Sequence, residues 1–223
     1  MDDYKRASLF ITLEGGEGSG KTSQINRLAQ ALTEQGYRVV TSREPGGTEE
    51  GERIRDLLVQ RDGGNWTPMA EVLLLNAARS MHISEIIKPA LDKGKIVICD
   101  RFTDSTVAYQ GYGRDMSLDK IKEIQDAVVG NTVPNLTFIL DIDVKAGLER
   151  SQKRLAGNKG AEKTEDRFER MEIEFHEKLR QGFLTIAKQD QKRYHVLDAT
   201  RSIDEISEHM TQITLECLEK IGG

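Results

Sequence analysis

The chain has 223 residues, a formal net charge of −5, and 31% charged against 37% hydrophobic residues. That size suits one domain with a sizeable core and room for a small insertion. The acidic balance leaves no whole-chain basic footprint for nucleic acid, and no stretch reaches the roughly twenty apolar residues of a membrane span. Met1-Asp-Asp-Tyr-Lys5 lacks a signal peptide's apolar core, and Cys99 and Cys217 fall at apolar positions as reduced core thiols, so a cytosolic protein is expected.

The first strand-like run covers 9–14, with Leu9-Phe10-Ile11-Thr12-Leu13 at its heart. Gly15, Gly16, Glu17, Gly18, Ser19, Gly20, Lys21 and Thr22 follow it and match G-x-x-x-x-G-K-[ST]. Ile25, Leu28, Ala29 and Leu32 then repeat at helical spacing. Strand, glycine turn and helix in this order aim backbone N–H groups and a helix N-terminus at a polyphosphate. Gly15, Gly18 and Gly20 remove the Cβ atoms that would block close approach, Lys21 supplies positive charge to the β- and γ-phosphates, and the Thr22 hydroxyl suits Mg²⁺. A glycine turn that merely joins strand to helix is the bland alternative.

A second strand at 38–42 leads into Arg43-Glu44-Pro45-Gly46-Gly47-Thr48, a shaped loop of the kind that builds acceptor pockets. Thr67-Pro68 reads as the N-cap and first turn of a long helix whose buried stripe includes Ile83, Ile86, Ile87, Ala90 and Leu91. The strand at 95–99 ends in Asp100-Arg101, which puts a carboxylate and a guanidinium at a carboxyl edge of the sheet. Asp100 suits the water shell of Mg²⁺ and Arg101 a phosphoryl oxygen; a surface ion pair is the other reading.

Residues 149–167 hold Arg150, Lys153, Arg154, Lys159, Lys163 and Arg167 among Gly157, Asn158 and Gly160, the pattern of a mobile basic lid that delivers an arginine to the transferring phosphoryl. Glu149, Glu162, Glu165 and Asp166 partly cancel that charge, so a solvated charged loop stays open as an alternative. Strands at 136–142 and 194–198 follow. Ser202-Ile-Asp-Glu205 forms a capping box ahead of Ile203, Ile206, Met210, Ile213 and Cys217. The alternation predicts an α/β fold over 1–223 as one domain: a P-loop NTPase-like, five-stranded parallel sheet with helices on both faces.

Glu17-Gly-Ser-Gly-Lys21, Arg43-Glu-Pro-Gly-Gly-Thr48, Asp100-Arg101 and Ser105-Thr-Val-Ala-Tyr-Gln-Gly111, in this order and spacing, resemble the bacterial thymidylate kinases over essentially the whole chain. The last block separates that family from adenylate and guanylate kinases. The resemblance implies transfer of the ATP γ-phosphoryl to dTMP, giving dTDP and ADP, with Mg²⁺, in a homodimer that could form through the helices of Leu73 and Ile124. It implies that Glu17 accepts from the sugar 3′-hydroxyl and that Arg101 and Arg55 clamp the acceptor's 5′-phosphate. Arg79 would stand near base and phosphate, and Glu44 would belong to the acceptor pocket. Ser105, Thr106, Tyr109 and Gln110 would wall the thymine, with the Tyr109 ring excluding a 2′-hydroxyl.

Two departures from the family pattern matter. Leu75 stands where the family usually has a phenylalanine stacked on thymine, which keeps a dUMP kinase open as the runner-up. Gly18 follows Glu17 where some members carry an arginine, so the guanidinium must come from the lid: Arg154 by family position, then Arg150. A GTPase switch lacks support, because Asn158-Lys159 continues as Gly160-Ala161 and gives no Asn-Lys-x-Asp signature. A non-catalytic P-loop scaffold would tolerate losing Asp100-Arg101, yet the pair is present. The four histidines lack metal-ligand spacing, and His82 reads as a satisfied helix histidine.

Overall fold

In the computed structural model, residues 4–61, 64–157 and 165–222 are described. The lid residues Asn158, Lys159, Gly160, Glu162 and Lys163 lie outside them. Five strands form one parallel sheet: β1 (Leu9–Glu14), β2 (Val39–Arg43), β3 (Ile96–Asp100), β4 (Leu136–Asp141) and β5 (Tyr194–Asp198), in the order β2-β3-β1-β4-β5. All six residues of β1 are buried, as expected of a central strand covered on both faces.

Alternation along β1 sends Leu9, Ile11 and Leu13 to one face, where α1 (Lys21–Glu34) and α9 (Ile203–Gly222) cover them with Ile25, Leu28, Leu32, Ile206, Met210 and Leu218. Phe10 belongs to the opposite layer and meets Val97, Cys99, Phe102, Ile83, Ile87 and Val129. Thr12, between these apolar residues, satisfies its buried hydroxyl against that of Thr137 on β4 at 2.8 Å. Around β4, α8 (Ile173–Ala187) adds Phe175, Leu179 and Phe183.

The expected caps form. Thr67 accepts from the Ala70 N–H at the start of α3 (Pro68–His82), and Ser202 and Glu205 cap each other's backbone N–H at 3.2 and 3.0 Å. The long helix is not uniform: α3 widens into a π-helical turn, Ile83–Ile87, before α4 (Lys88–Asp92). Pro89 has no N–H for the carbonyl four residues back and its ring crowds that carbonyl, which accounts for the widening. Ile203, expected on the buried stripe of α9, is 50% exposed. Its carbonyl, not its side chain, faces α1, taking a hydrogen bond from Gln24 Nε2 at 3.0 Å. Cys99 is fully buried and Cys217 half-buried, both as free thiols.

Three further helices matter for the site: α2 (Glu49–Val59), α6 (Leu118–Val129) and α7 (Val144–Gly157). After β3 the chain makes the short α5 (Thr103–Thr106), which continues as a second π-helical turn over Val107–Gly113. α3 and α6 pack together, leaving Leu73 54% exposed on the outer side while Ile124 is half-buried.

Leu28 is fully buried between the sheet and α9. Leu28→Ala should cost about 3 kcal/mol and lower the melting temperature by roughly 6–12 °C. Thermal unfolding followed by circular dichroism checks this, and a shift under about 2 °C would contradict the packing of α1.

Candidate active site

Strand register builds the site. Leu13 pairs with Asp100 and Arg43 pairs with the same Asp100, so the ends of β1, β3 and β2 deliver the glycine loop, Asp100-Arg101 and the Arg43–Thr48 loop to one carboxyl edge. Beyond the strand, the Arg101 N–H still reaches the Leu13 carbonyl at 2.9 Å, and the Glu44 N–H reaches the Asp100 carbonyl at 2.9 Å.

The loop between β1 and α1 folds over its own lysine. Lys21 Nζ donates to the carbonyls of Gly15 and Gly16, both at 3.1 Å, and burial followed by the Arg101 charge lowers its pKa. Gly18 has φ 67°, and a Cβ there would meet the Gly147 carbonyl oxygen at 2.0 Å. A Cβ on Gly147 would in turn meet the Glu17 carbonyl oxygen at 2.5 Å. The first turn of α7 therefore packs backbone to backbone on the phosphate loop. Gly147 was not singled out from sequence; its only signal was a glycine inside a helix, where alanine is intrinsically better.

Arg101 occupies the left-handed region at φ 66°, a conformation worth roughly 1 kcal/mol of strain for a residue with a side chain. Its guanidinium donates through Nη1 to Gly15 O and Ser105 Oγ, each at 3.1 Å, and through Nη2 to Glu17 at 3.1 Å, while lying over the Tyr109 ring at 4.9 Å. The Tyr109 hydroxyl donates to the same Glu17 oxygen. Burial works against the Glu17 charge, but Arg101 and Lys21 outweigh it and hold the carboxyl down at about 2.

Beneath this cluster lies Glu14, a residue the sequence reading passed over as part of an apolar strand. It is fully buried; Oε1 accepts the Phe102 N–H at 2.8 Å and Oε2 accepts the Ser105 hydroxyl at 2.5 Å. Glu14 thus fixes the residue that follows Arg101 and the serine to which Arg101 donates. Burial, then the Asp104 charge, pushes its carboxyl up to about 7.

On the acceptor side, Arg79 is buried and already anchored: Nε donates to Glu44 Oε2 at 2.8 Å, Nη1 to Asn76 at 3.3 Å, and Nη2 to Phe102 O and Thr106 Oγ1 at 3.2 and 3.1 Å. The second Glu44 oxygen takes His82 Nδ1 at 2.9 Å, and His82 Nε2 pairs with the Ser42 hydroxyl at 2.6 Å. Glu44 therefore works through Arg79 and His82, and His82 is the satisfied histidine expected. Gln110 Nε2 donates to Glu71 at 2.9 Å; because a carboxylate only accepts, the amide orientation is set, and the buried Oε1 has no partner among the described residues. Leu75 is half-buried in the wall of a cleft of about 750 Å³. Glu17–Thr22, Glu44, Arg55, Arg79, Asp100, Arg101, Ser105, Thr106, Tyr109 and Gln110 line the same cleft. So do Arg150 and Arg154 from α7; Gly15 and Gly16, at the start of the loop, line a separate small cavity against β4 and α8.

At the end of the stretch expected to form a lid, residues 165–167 are held by ion pairs. Arg55 binds Glu165 through Nε and Nη2 at 3.1 and 2.7 Å, Arg61 pairs with Asp166, and Arg167 donates to Glu71 at 2.6 Å. Arg55 is thus held by the lid as well as facing the cleft. Arg150 donates to the Ala199 carbonyl at 3.0 Å, and Arg154, 61% exposed, donates to Ser151 at 3.2 Å. Phe168 and Glu169, also missed from sequence, reach the cleft from the strand-less stretch after 164; Phe168 packs edge-on against Tyr109 at 5.2 Å. Among the described residues no group of three or more His, Cys, Asp or Glu is arranged to hold a metal by itself.

Two outcomes are expected from this geometry. Gly147→Ala forces the phosphate loop aside and should weaken ATP binding about tenfold, read by calorimetric titration; unchanged affinity would refute the backbone contact. The Glu14 pKa of about 7 lies above the model-compound value of 4.5, so the folded protein holds this proton more tightly than the unfolded chain. The stability it confers is complete below pH 4.5 and is lost as pH rises to about 7, by at most about 3 kcal/mol. Glu14→Gln should remove that part of the slope in melting curves taken across pH 4.5–7, and an unaltered slope would contradict it.

Comparison with known proteins gives the same answer as the geometry. The sequence model of the family described as thymidylate kinase matches residues 13–210. The thymidylate kinase of Syntrophotalea carbinolica is 46% identical over 216 residues, 97% of this chain and 99% of that protein. That of Bartonella quintana is 47% identical over 204 residues, 92% of this chain and 94% of the other. The crystal structure of thymidylate kinase from Ehrlichia chaffeensis superposes with a TM-score of 0.73 at 36% identity, covering 93% of this chain and 99% of that one. With its glycine loop set by strand register beside an arginine-lined cleft, and matched over nearly its full length, this chain belongs to the thymidylate kinase family.

Proposed function

We propose that the chain phosphorylates dTMP to dTDP with ATP as donor, as its family does, and that the residues of the cleft divide the work between the two nucleotides. The observation that carries the acceptor reading is the buried, unpartnered Gln110 Oε1 in the cleft wall. A buried acceptor lacking a donor is costly, and the N3–H of a thymine ring supplies one. Cytosine has no proton there and leaves the cost in place.

The rest of the acceptor fits around that contact. Arg101 and Arg55 grip the 5′-phosphate as charge-assisted donors. Glu17, held ionised at about 2, accepts the 3′-hydroxyl, and the Tyr109 ring beside it crowds out a 2′-hydroxyl. Leu75 covers the base by apolar contact alone.

On the donor side, Lys21 and the N–H groups at the start of α1 take the ATP phosphates, and Arg154 or Arg150 on α7 brings positive charge to the transferring group. Asp100 Oδ1 is buried without a partner and the exposed Thr22 heads α1, so two oxygen donors fit Mg²⁺ beside the loop. When bound, the ion neutralises charge on the ATP phosphates. No covalent nucleophile is needed, because positioning and electrostatics supply most of the rate. No helix among the described residues is long and apolar enough to cross a membrane; with the cytosolic reading of the sequence this supports a cytoplasmic enzyme. Exposed Leu73 and Met69 on α3 and Leu118 on α6 support a homodimer formed through that face.

Coupled ADP release with ATP, Mg²⁺ and a panel of dTMP, dUMP, dCMP, dGMP, AMP, GMP and UMP tests the reading. dTMP is expected to lead, dUMP to follow and dCMP to be poorly used. Leu75→Phe should lower the dTMP KM by about tenfold, since a stacking ring is worth roughly 1–3 kcal/mol and leucine supplies part of that. ADP release independent of any acceptor would overturn the kinase assignment.

A further inference from the structure

Arg55 stands at the acceptor edge of the cleft, and its most favourable edge is taken. Nε and Nη2 hold the two oxygens of Glu165 at 3.1 and 2.7 Å, the fork-on-fork geometry that a guanidinium also offers to a phosphate. Nη1 donates to the Pro45 carbonyl at 3.0 Å. A phosphate can take the Nε edge only if Glu165 leaves it, because two anions on one half-buried guanidinium repel each other.

Glu165 is presented to Arg55 by its neighbours. Asp166 pairs with Arg61, and Arg167 donates to Glu71 and to the Leu58 carbonyl at 2.6 and 2.9 Å, while its own N–H reaches Val59 O at 3.3 Å. These anchors tie residues 166 and 167 to α2 and α3, so Glu165 competes from a tethered position at high effective concentration. The Arg55 hydrogen bond, aided by Arg43, lowers the Glu165 pKa and keeps it charged; the other charged group facing it is Glu52, itself bound to Arg43 at 2.8 Å.

We propose that Glu165 is an internal competitor for the acceptor's 5′-phosphate, sitting in the Arg55 fork and yielding it to the substrate. This rests on the reading of Arg55 as part of the phosphate clamp. The exchange sets the apparent acceptor affinity, which falls in proportion to the fraction of molecules whose Arg55 is unclaimed. It also makes acceptor arrival release one of the contacts that tie the lid to α2.

Steady-state kinetics on the full-length enzyme at saturating ATP, with Glu165→Gln, Arg55→Gln and the double variant, tests the exchange. Glu165→Gln should lower the dTMP KM about three- to tenfold and leave the ATP KM unchanged. Arg55→Gln should raise the dTMP KM about tenfold or more, and in that background Glu165→Gln should have no effect. The inhibition constant of thymidine, which lacks the phosphate, should be the same in wild type and Glu165→Gln; a general loosening of the site would shift it. If Arg55→Gln raises the dTMP KM while Glu165→Gln leaves it unchanged or raises it, the competitor role is overturned and the clamp stands. If Arg55→Gln leaves the dTMP KM unchanged, the clamp reading fails and the competitor role with it.

Discussion

Everything in the site depends on the parallel pairing of β1 with β3, continued past the strand end by the bond from the Arg101 N–H to the Leu13 carbonyl. One register places the phosphate loop next to Asp100-Arg101, and a slip of one residue would turn every side chain of β3 to the other face. The glycine loop and Arg101 are thus set against each other by backbone hydrogen bonds at the centre of the sheet. Both faces of β1 are buried there.

A concentrated patch of charge follows from that arrangement, and the protein stabilises it by pairing. Glu17 meets Arg101, Glu44 meets Arg79, Glu71 meets Arg114 and Arg167, and Asp104 meets Arg193. In a buried site each unpaired member would cost more than its pairing gains, so the network fixes side-chain positions more than it adds stability. Two carboxyls, Glu14 and Glu169, sit near 7, raised first by burial and then by the acid beside each, against the weaker pull of nearby arginines. Of the buried oxygens without a hydrogen-bond partner among the described residues, Asp100 Oδ1 and Gln110 Oε1 both belong to residues that line the cleft.

The lid joins this network through its ionic contacts. Its described part is bound by Glu165, Asp166 and Arg167 to α2 and α3, and α7 lies on the phosphate loop with only glycine between the backbones. The stretch 165–167 is therefore held by ion pairs, and α7 by close backbone packing on the glycine loop.

Local features are written in short stretches of the chain. Each strand was legible within a residue or two, because apolar runs and turn residues are short-range signals. The phosphate loop was legible because its chemistry is written in eight consecutive positions, Gly15 to Thr22, and the caps at Thr67 and Ser202 because three residues suffice for each. The widening of the long helix was also encoded locally, at Pro89, though periodicity alone reads through it. Which distant groups meet depends on the fold: Glu14 with Phe102, 88 residues on, Gly147 with Glu17, and Glu165 with Arg55, 110 residues away. A side chain's pattern tells whether it faces in or out, but its partner is fixed by the path of the whole chain through the sheet. A buried carboxylate in an apolar strand and an acidic residue in a basic lid therefore looked unremarkable until folding placed each against the group it controls.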